Sequence, residues 1–212
     1  MPATDAVHGT ALVLDRSNID TDQIIPASRL KRLERAGYAD DLFYEWRTDP
    51  AFALHQPHAT TAQVLVTGRN FGCGSSREHA VWALLDFGFR AVVSEQIADI
   101  FRGNAITAGL IPVELPADQV AAIIDALAQD PTRALTIDLV QRRVSVHGTV
   151  IDVPLTLDPD ACATLRAGAD PITLTLQQEQ TIADYENTRP AWMPTTANPT
   201  VNCLFPNVTP RR

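Results

Sequence analysis

The chain has 212 residues, enough for one substantial core, and its 45% hydrophobic and 20% charged residues fit a soluble globular protein. A formal net charge of −8 excludes the basic footprint that non-specific nucleic-acid binding needs, though local arginines can still hold small anions. With no secretory signal, no apolar run near the ~18 residues of a membrane span, and three scattered cysteines (Cys73, Cys162, Cys203), the expectation is a cytoplasmic protein with no membrane partner.

In chain order, Thr10 to Leu14 reads as a first strand that feeds a polar loop, Asp15 to Asp22, closed by Ile24-Ile25-Pro26. Arg29 to Arg35 is strongly basic and reads as a helix or a mobile loop. Gly37 to Pro57 gathers Tyr38, Phe43, Tyr44, Trp46 and Phe52. It is either a segment that orders on a partner or substrate, or a loop packed over the core. His55 and His58 flank Pro57 there, without zinc-ligand spacing, and no metal site is expected in this chain. Ala62 to Thr67 reads as a short buried strand. After a Gly-rich turn, Val81, Trp82, Leu84 and Leu85 recur at helical spacing until Gly88.

Arg90 to Ser94 reads as a strand, and Ile97, Ile100 and Phe101 suggest a short helix ending at Gly103. Leu110 to Val113 reads as a strand that Pro112 places at a sheet edge. Val120, Ile123, Ile124 and Leu127 mark an amphipathic helix between Pro116 and Pro131. Leu135/Ile137/Leu139, Val144/Val146 and Ile151/Val153/Leu155 alternate as the strands of a meander, with His147-Gly148 as a turn. Asp158-Pro159 starts a helix that Gly168 stops. Ile172 to Leu176 reads as a last strand, followed by a helix around Ile182 and Tyr185. Five prolines from Pro190 onward suggest an irregular tail over 194–212. Without a repeat or a dividing linker, residues 1–193 are expected to form one domain.

The chemistry concentrates in Asn70-Phe71-Gly72-Cys73-Gly74-Ser75-Ser76-Arg77-Glu78-His79-Ala80. A strand–turn–helix junction of this kind turns free N–H groups and the positive helix end outward, which suits an anion. A Walker loop needs a lysine that Gly74-Ser75-Ser76-Arg77 lacks, and a dinucleotide fingerprint fails because position 77 is arginine. A site for a small carboxylate remains. Ser75 or Ser76 has the position of a helix cap, and Ser75-x-x-Glu78 has capping-box spacing, so structural use of either hydroxyl is open. Arg77 in a first helical turn opposes the dipole, which suggests that its guanidinium is held for a carboxylate. A helix end supplies at most ~2 kcal/mol, or roughly 1.5 pKa units, so a serine base would need further cationic and N–H help. His79, four residues after Ser75, can share its helix face or sit buried. Asp20 and Asp22 are candidates for turn hydrogen bonds.

That run resembles the signature of the small subunit of 3-isopropylmalate dehydratase, a member of the aconitase superfamily. Asn18-Ile19-Asp20-Thr21-Asp22-Gln23-Ile24-Ile25-Pro26, Ala98-Asp99-Ile100-Phe101-Arg102-Gly103-Asn104 and Gly109-Leu110-Ile111-Pro112-Val113 agree with the same family in the same order. The resemblance implies an α/β fold, a single swivelling β/β/α domain of the aconitase small-subunit type. It implies a hydro-lyase that isomerises 2-isopropylmalate to 3-isopropylmalate by dehydration and rehydration in leucine biosynthesis. It also implies a larger partner subunit, in a heterodimer or heterotetramer, with a [4Fe-4S] cluster that this chain does not bind. Carried over by motif, Ser75 would be the base and Asp22 would help organise the site. Ser76 and Arg77 would bind the small dicarboxylate substrate, and Cys73 would be a packing residue.

The chain departs from the family pattern at Arg69, at Arg102 with Ala105, and over Asp160 to Thr164. Arg29, Lys31, Arg32 and Arg35 lie where the family shapes its substrate pocket. The alternatives are a related dehydratase acting on another substituted malate, and a stand-alone carboxylate-binding protein without its partner.

Overall fold

The computed structural model describes residues 3–31, 34–169, 171–190 and 192–193. Arg32 and the Pro-rich stretch 194–212 lie outside the described residues. The chain divides into two compact units, one through Pro171 and one from Ile172 onward.

The first unit is organised by one seven-stranded sheet. Its strands are β1 (Ala6–Leu14), β2 (Val64–Thr67), β3 (Ala91–Ser94), β4 (Ile111–Glu114), β5 (Ala134–Asp138), β6 (Arg143–Val146) and β7 (Asp152–Pro154), in the spatial order β4-β3-β2-β1-β5-β6-β7. β1 runs longer than the apolar stretch predicts, because its two halves do different work. Ala11 to Leu14 pairs in parallel with Val64 to Thr67, whereas Ala6 to Thr10 pairs antiparallel with Asp138 to Ala134. His8, Gly9 and Thr10 hide that first half from an apolar reading. β4 is at the edge, as Pro112 requires. β7 covers only the middle of the Ile151–Leu155 alternation.

The helices of the first unit are α1 (Thr21–Ile24), α2 (Glu78–Phe87), α3 (Asp99–Ala108), α4 (Ala117–Gln129) and α5 (Pro159–Ala167). The parallel strands β2 and β3 are buried along their whole length, so both sheet faces must be covered. Alternate residues serve opposite sides. Leu12, Leu14, Leu65 and Val92 join α2 and α3 residues in one core, and Val64, Val66 and Val93 join α4 and α5 residues in the other. Segment 37–62 packs over the first core in short 3-10 turns. Tyr38, Phe43 and Phe52 are buried there, and Phe43 stacks on Trp46 with centroids 5.3 Å apart. This is the loop-over-core arrangement, and each aromatic adds about 1.5–3 kcal/mol of apolar burial.

Two sequence expectations are overturned. α3 does not stop at Gly103; it continues to Ala108 and is capped by Gly109 at a φ of 92°. A glycine inside a helix costs about 1 kcal/mol but does not end it when buried side chains such as Ala105 hold the next turn. Ile172 to Leu176 is not a strand but lies in α6 (Pro171–Leu176), followed by α7 (Glu179–Thr188). Pro171 occupies a first helical position, where its missing N–H costs nothing, and a five-residue alternation is too short to fix a period. Among the described residues no helix is long and apolar enough to cross a membrane.

Candidate active site

Because β1, β2 and β3 are parallel, the loops that follow them leave the same edge of the sheet, where open α/β sheets bind ligands. Backbone hydrogen bonds join these loops. Asn18 N donates to Arg69 O at 2.8 Å, Gly72 N to Ile19 O at 2.7 Å, and Thr21 N to Cys73 O at 2.9 Å. On the other flank Phe71 N donates to Gln96 O and Ala98 N to Phe71 O, each at 2.9 Å. The turn needs its glycines. Gly72 has a φ of 73°, and a Cβ there would lie 2.4 Å from the Phe101 ring; Gly74 has a φ of 90°.

Neither Ser75 nor Ser76 caps a helix, contrary to the capping-box spacing. α2 begins at Glu78, and Arg77 takes the cap position in extended conformation with no side-chain cap bond. The chain stays extended because the Arg77 side chain is held sideways by the first loop. Both hydroxyls are therefore free of a capping role and exposed. With Thr21, Gly74, Arg77 and the Ala98–Phe101 turn they line a cavity of about 260 Å³. Thr21 Oγ1 donates to Ser75 O at 2.8 Å and lies 3.5 Å from Ser75 Oγ.

Arg77 is half-buried and forms a two-pronged pair with Asp22. Nη1 donates to Asp22 Oδ1, Nη2 donates to Asp22 Oδ2 at 2.6 Å, and Nη1 also donates to Ile25 O at 3.2 Å. A guanidinium has five N–H groups. The Nε–H and the second Nη2–H have no partner among the described residues, and together they form a complete side-on fork for one more carboxylate. The hydrogen bonds from Arg77, with its charge, hold the Asp22 carboxyl below its ordinary range. Asp20 differs from Asp22 in role. Its carboxylate caps α1, accepting from Gln23 N at 2.7 Å in a capping box.

Other expectations fall elsewhere. Ser75 precedes α2, so His79 shares no helix face with it; the His79 ring instead packs on Trp82 and Tyr38, at centroid distances of 4.6 and 5.5 Å. Burial, and then the charge of Asp20, pushes the Cys73 thiol up, which keeps it protonated and unreactive near neutral pH. Arg69 donates to Gln96 Oε1 at 3.0 Å. Arg102 donates to Glu114 at 2.9 Å and pairs with Asp99, while the other Glu114 oxygen accepts from Ile97 N. Cys162 is buried in the second core. Sequence reasoning missed Thr21 and the Ile25 carbonyl as partners of the turn. The signal for Thr21 was its place between Asp20 and Asp22.

The described residues do not suit an iron–sulfur cluster. Cys73 lies in the site loop and Cys162 in the second core, and no three histidine, cysteine or acidic side chains gather among the described residues.

Comparison with known proteins agrees with this architecture. The Aconitase C-terminal domain family matches residues 1–118, and the family formed by the C-terminal domain of the 3-isopropylmalate dehydratase small subunit matches residues 172–198. A 3-isopropylmalate dehydratase small subunit from Parafrankia sp. (strain EAN1pec) is 53% identical over 189 residues, covering 89% of this chain and 96% of its own. The corresponding protein of Rubrobacter xylanophilus is 45% identical over 188 residues, covering 89% and 95%. The crystal structure of 3-isopropylmalate dehydratase from Methanocaldococcus jannaschii superposes with a TM-score of 0.62 at 26% identity, covering 85% of this chain and 99% of that one. The fold is thus that of an aconitase-type α/β small subunit. Within that class, the chain belongs to the 3-isopropylmalate dehydratase small-subunit family.

Proposed function

We infer that this chain is the small subunit of a two-chain hydro-lyase that interconverts 2-isopropylmalate and 3-isopropylmalate by dehydration and rehydration in leucine biosynthesis. One observation carries the chemical part of this reading: Ser75 and Arg77 line the same cavity, and the Nε/Nη2 edge of Arg77 has no partner among the described residues. A substrate carboxylate on the Nε/Nη2 edge of Arg77 would present its neighbouring carbon to Ser75. Ser75 then acts as the base, taking the proton from that carbon, and the carboxylate held by Arg77 receives the negative charge left behind. Ser76, exposed at the same cavity, adds a hydrogen bond to the carboxylate. Asp22 fixes the plane of the guanidinium and so determines which edge faces the substrate.

The departing hydroxyl is left to the partner. We place the family's [4Fe-4S] cluster on that large subunit, in a heterodimer or heterotetramer, because the described residues of this chain do not fit one. The free thiols Cys73 and Cys162 support a reducing, cytoplasmic setting. We also propose that residues 1–193 act together as the small-subunit domain, as the two family matches on either side of residue 171 suggest.

The test is reconstitution of the chain with its large subunit and 2-isopropylmalate. Ser75→Ala is expected to lower kcat by about 100-fold or more while the subunits still assemble. Arg77→Lys keeps the charge but loses the fork, so KM should rise about tenfold or more. Normal turnover by the Ser75 variant would remove Ser75 as the base.

A further inference from the structure

We propose that Thr21 is a positioning residue for Ser75, one whose single hydroxyl hydrogen moves between the serine's carbonyl and its side-chain oxygen as Ser75 changes protonation state. The inference rests on Ser75 being the base.

Thr21 is 2% exposed, and a hydroxyl so deeply buried needs its partners inside the protein. The partners of its N–H and of its hydroxyl all belong to the serine turn, while its carbonyl accepts from Ile25 N at the end of α1. The backbone N donates to Cys73 O at 2.9 Å, Oγ1 donates to Ser75 O at 2.8 Å, and the same Oγ1 lies 3.5 Å from Ser75 Oγ. The capping bonds of α1 are made by Asp20 and Gln23, so the Thr21 hydroxyl has no capping duty. Thr21 and Asp22 are consecutive, and each meets one functional group of the turn: Thr21 meets Ser75, and Asp22 meets Arg77.

A hydroxyl has one hydrogen and two lone pairs. With its hydrogen on Ser75 O, Thr21 can meet a neutral Ser75 only as an acceptor, so the serine hydrogen turns toward Thr21. When Ser75 is ionised, the Thr21 hydrogen swings from the carbonyl to the alkoxide, a charge-assisted hydrogen bond that favours the basic form. Proton abstraction reverses the swing. The substrate C–H bond breaks, an O–H bond forms at Ser75 Oγ, and the electron pair stays on the carbon beside the carboxylate. The Thr21 hydrogen then returns to Ser75 O. A 3.5 Å separation is long for a hydrogen bond, but catalytic contacts often tighten only when substrate is bound.

The chain reconstituted with its large subunit provides the test. Thr21→Val keeps the branched shape and removes the hydroxyl. The expected result is a kcat lower by about tenfold or more and a KM within about threefold. The pH at which kcat reaches half its maximum should rise by about one unit. Thr21→Ser restores the hydroxyl and should restore both kcat and the pH profile. A Thr21→Val enzyme with normal kcat and an unmoved pH profile overturns the proposal, as does a Thr21→Ser enzyme equally impaired. If Thr21→Val fails to assemble, Thr21→Ala decides in its place: lost kcat with a shifted profile supports the role, and lost kcat without the shift overturns it. Ser75→Ala keeps the two levels apart. Retained turnover there removes the base itself, whereas an inactive Ser75→Ala beside a normal Thr21→Val removes only the role of Thr21.

Discussion

Asp22 governs Arg77 although it is largely exposed, with 58% of its side chain accessible against 15% for the arginine. An ion pair at that exposure contributes at most about 1 kcal/mol to stability, so its importance lies in orientation. Because Arg77 lowers the folded pKa of Asp22 below 3.8, the stability it gives is present above that value and is lost only as the pH falls through the folded pKa. Asp22→Asn should therefore leave the melting temperature within about 4 °C across neutral pH. The carboxamide offers one oxygen where the fork needs two, and its NH2 faces an N–H of the guanidinium. KM for the dicarboxylate should rise about tenfold, and substrate titrations of the reconstituted enzyme at fixed pH would show it. At this scale the sequence was informative about which groups gather and uninformative about how they are held. A Ser-Ser-Arg run behind two glycines announces an anion site, but the same run has capping-box spacing. Only the sideways pull of Asp22 and Ile25, distant in sequence, decides that Arg77 and not a serine stands at the helix start.

Elements show the same division. Strong local signals carried through: the amphipathic α4 between Pro116 and Pro131, the start of α5 at Asp158-Pro159, and the edge strand at Pro112 all lie where the pattern puts them. The misses came where a tertiary partner decides. The first half of β1 is polar and becomes a strand by pairing with β5, and α3 passes through Gly103 because Ala105, in the turn after it, is buried in the core. Two glycines of this region make a contrast that can be measured. Gly72→Ala meets both a φ of 73° and a Cβ only 2.4 Å from the Phe101 ring. The left-handed conformation costs about 1–2 kcal/mol and the overlap about 1–3 more, so the thermal unfolding temperature should fall by at least about 4 °C. Activity should fall with it, because Phe101 anchors the α3 turn that lines the cavity. Gly103→Ala meets nothing within 4 Å inside a helix, and should raise stability by about 0.5–1 kcal/mol.

For the molecule as a whole, β1 does more than centre the sheet: its antiparallel half ties in the meander, while its parallel half delivers the 15–22 loop to the turn after β2. That delivery brings Thr21 and Asp22 against Ser75 and Arg77, so the base and carboxylate clamp we propose form one preassembled half-site. In the function we propose, the other half belongs to the partner, which gives a consequence beyond simple loss of function. Ser75→Ala removes the base and its 3.5 Å contact with Thr21. It leaves in place the backbone hydrogen bonds between the loops and the bond from Thr21 Oγ1 to Ser75 O, so the variant chain should occupy the large subunit as well as the normal chain does. Alone, the normal chain should show no turnover, and activity should rise with added large subunit until a fixed ratio is reached. With the large subunit limiting, adding an equal amount of the Ser75→Ala chain should cut the rate to about half, as mass action requires of equal competitors. An unchanged rate in that mixture, with each chain separately shown to be folded, would mean that the Ser75→Ala chain either does not occupy the large subunit or turns over normally. The activity of the variant complex alone tells these apart, and either result overturns the prediction.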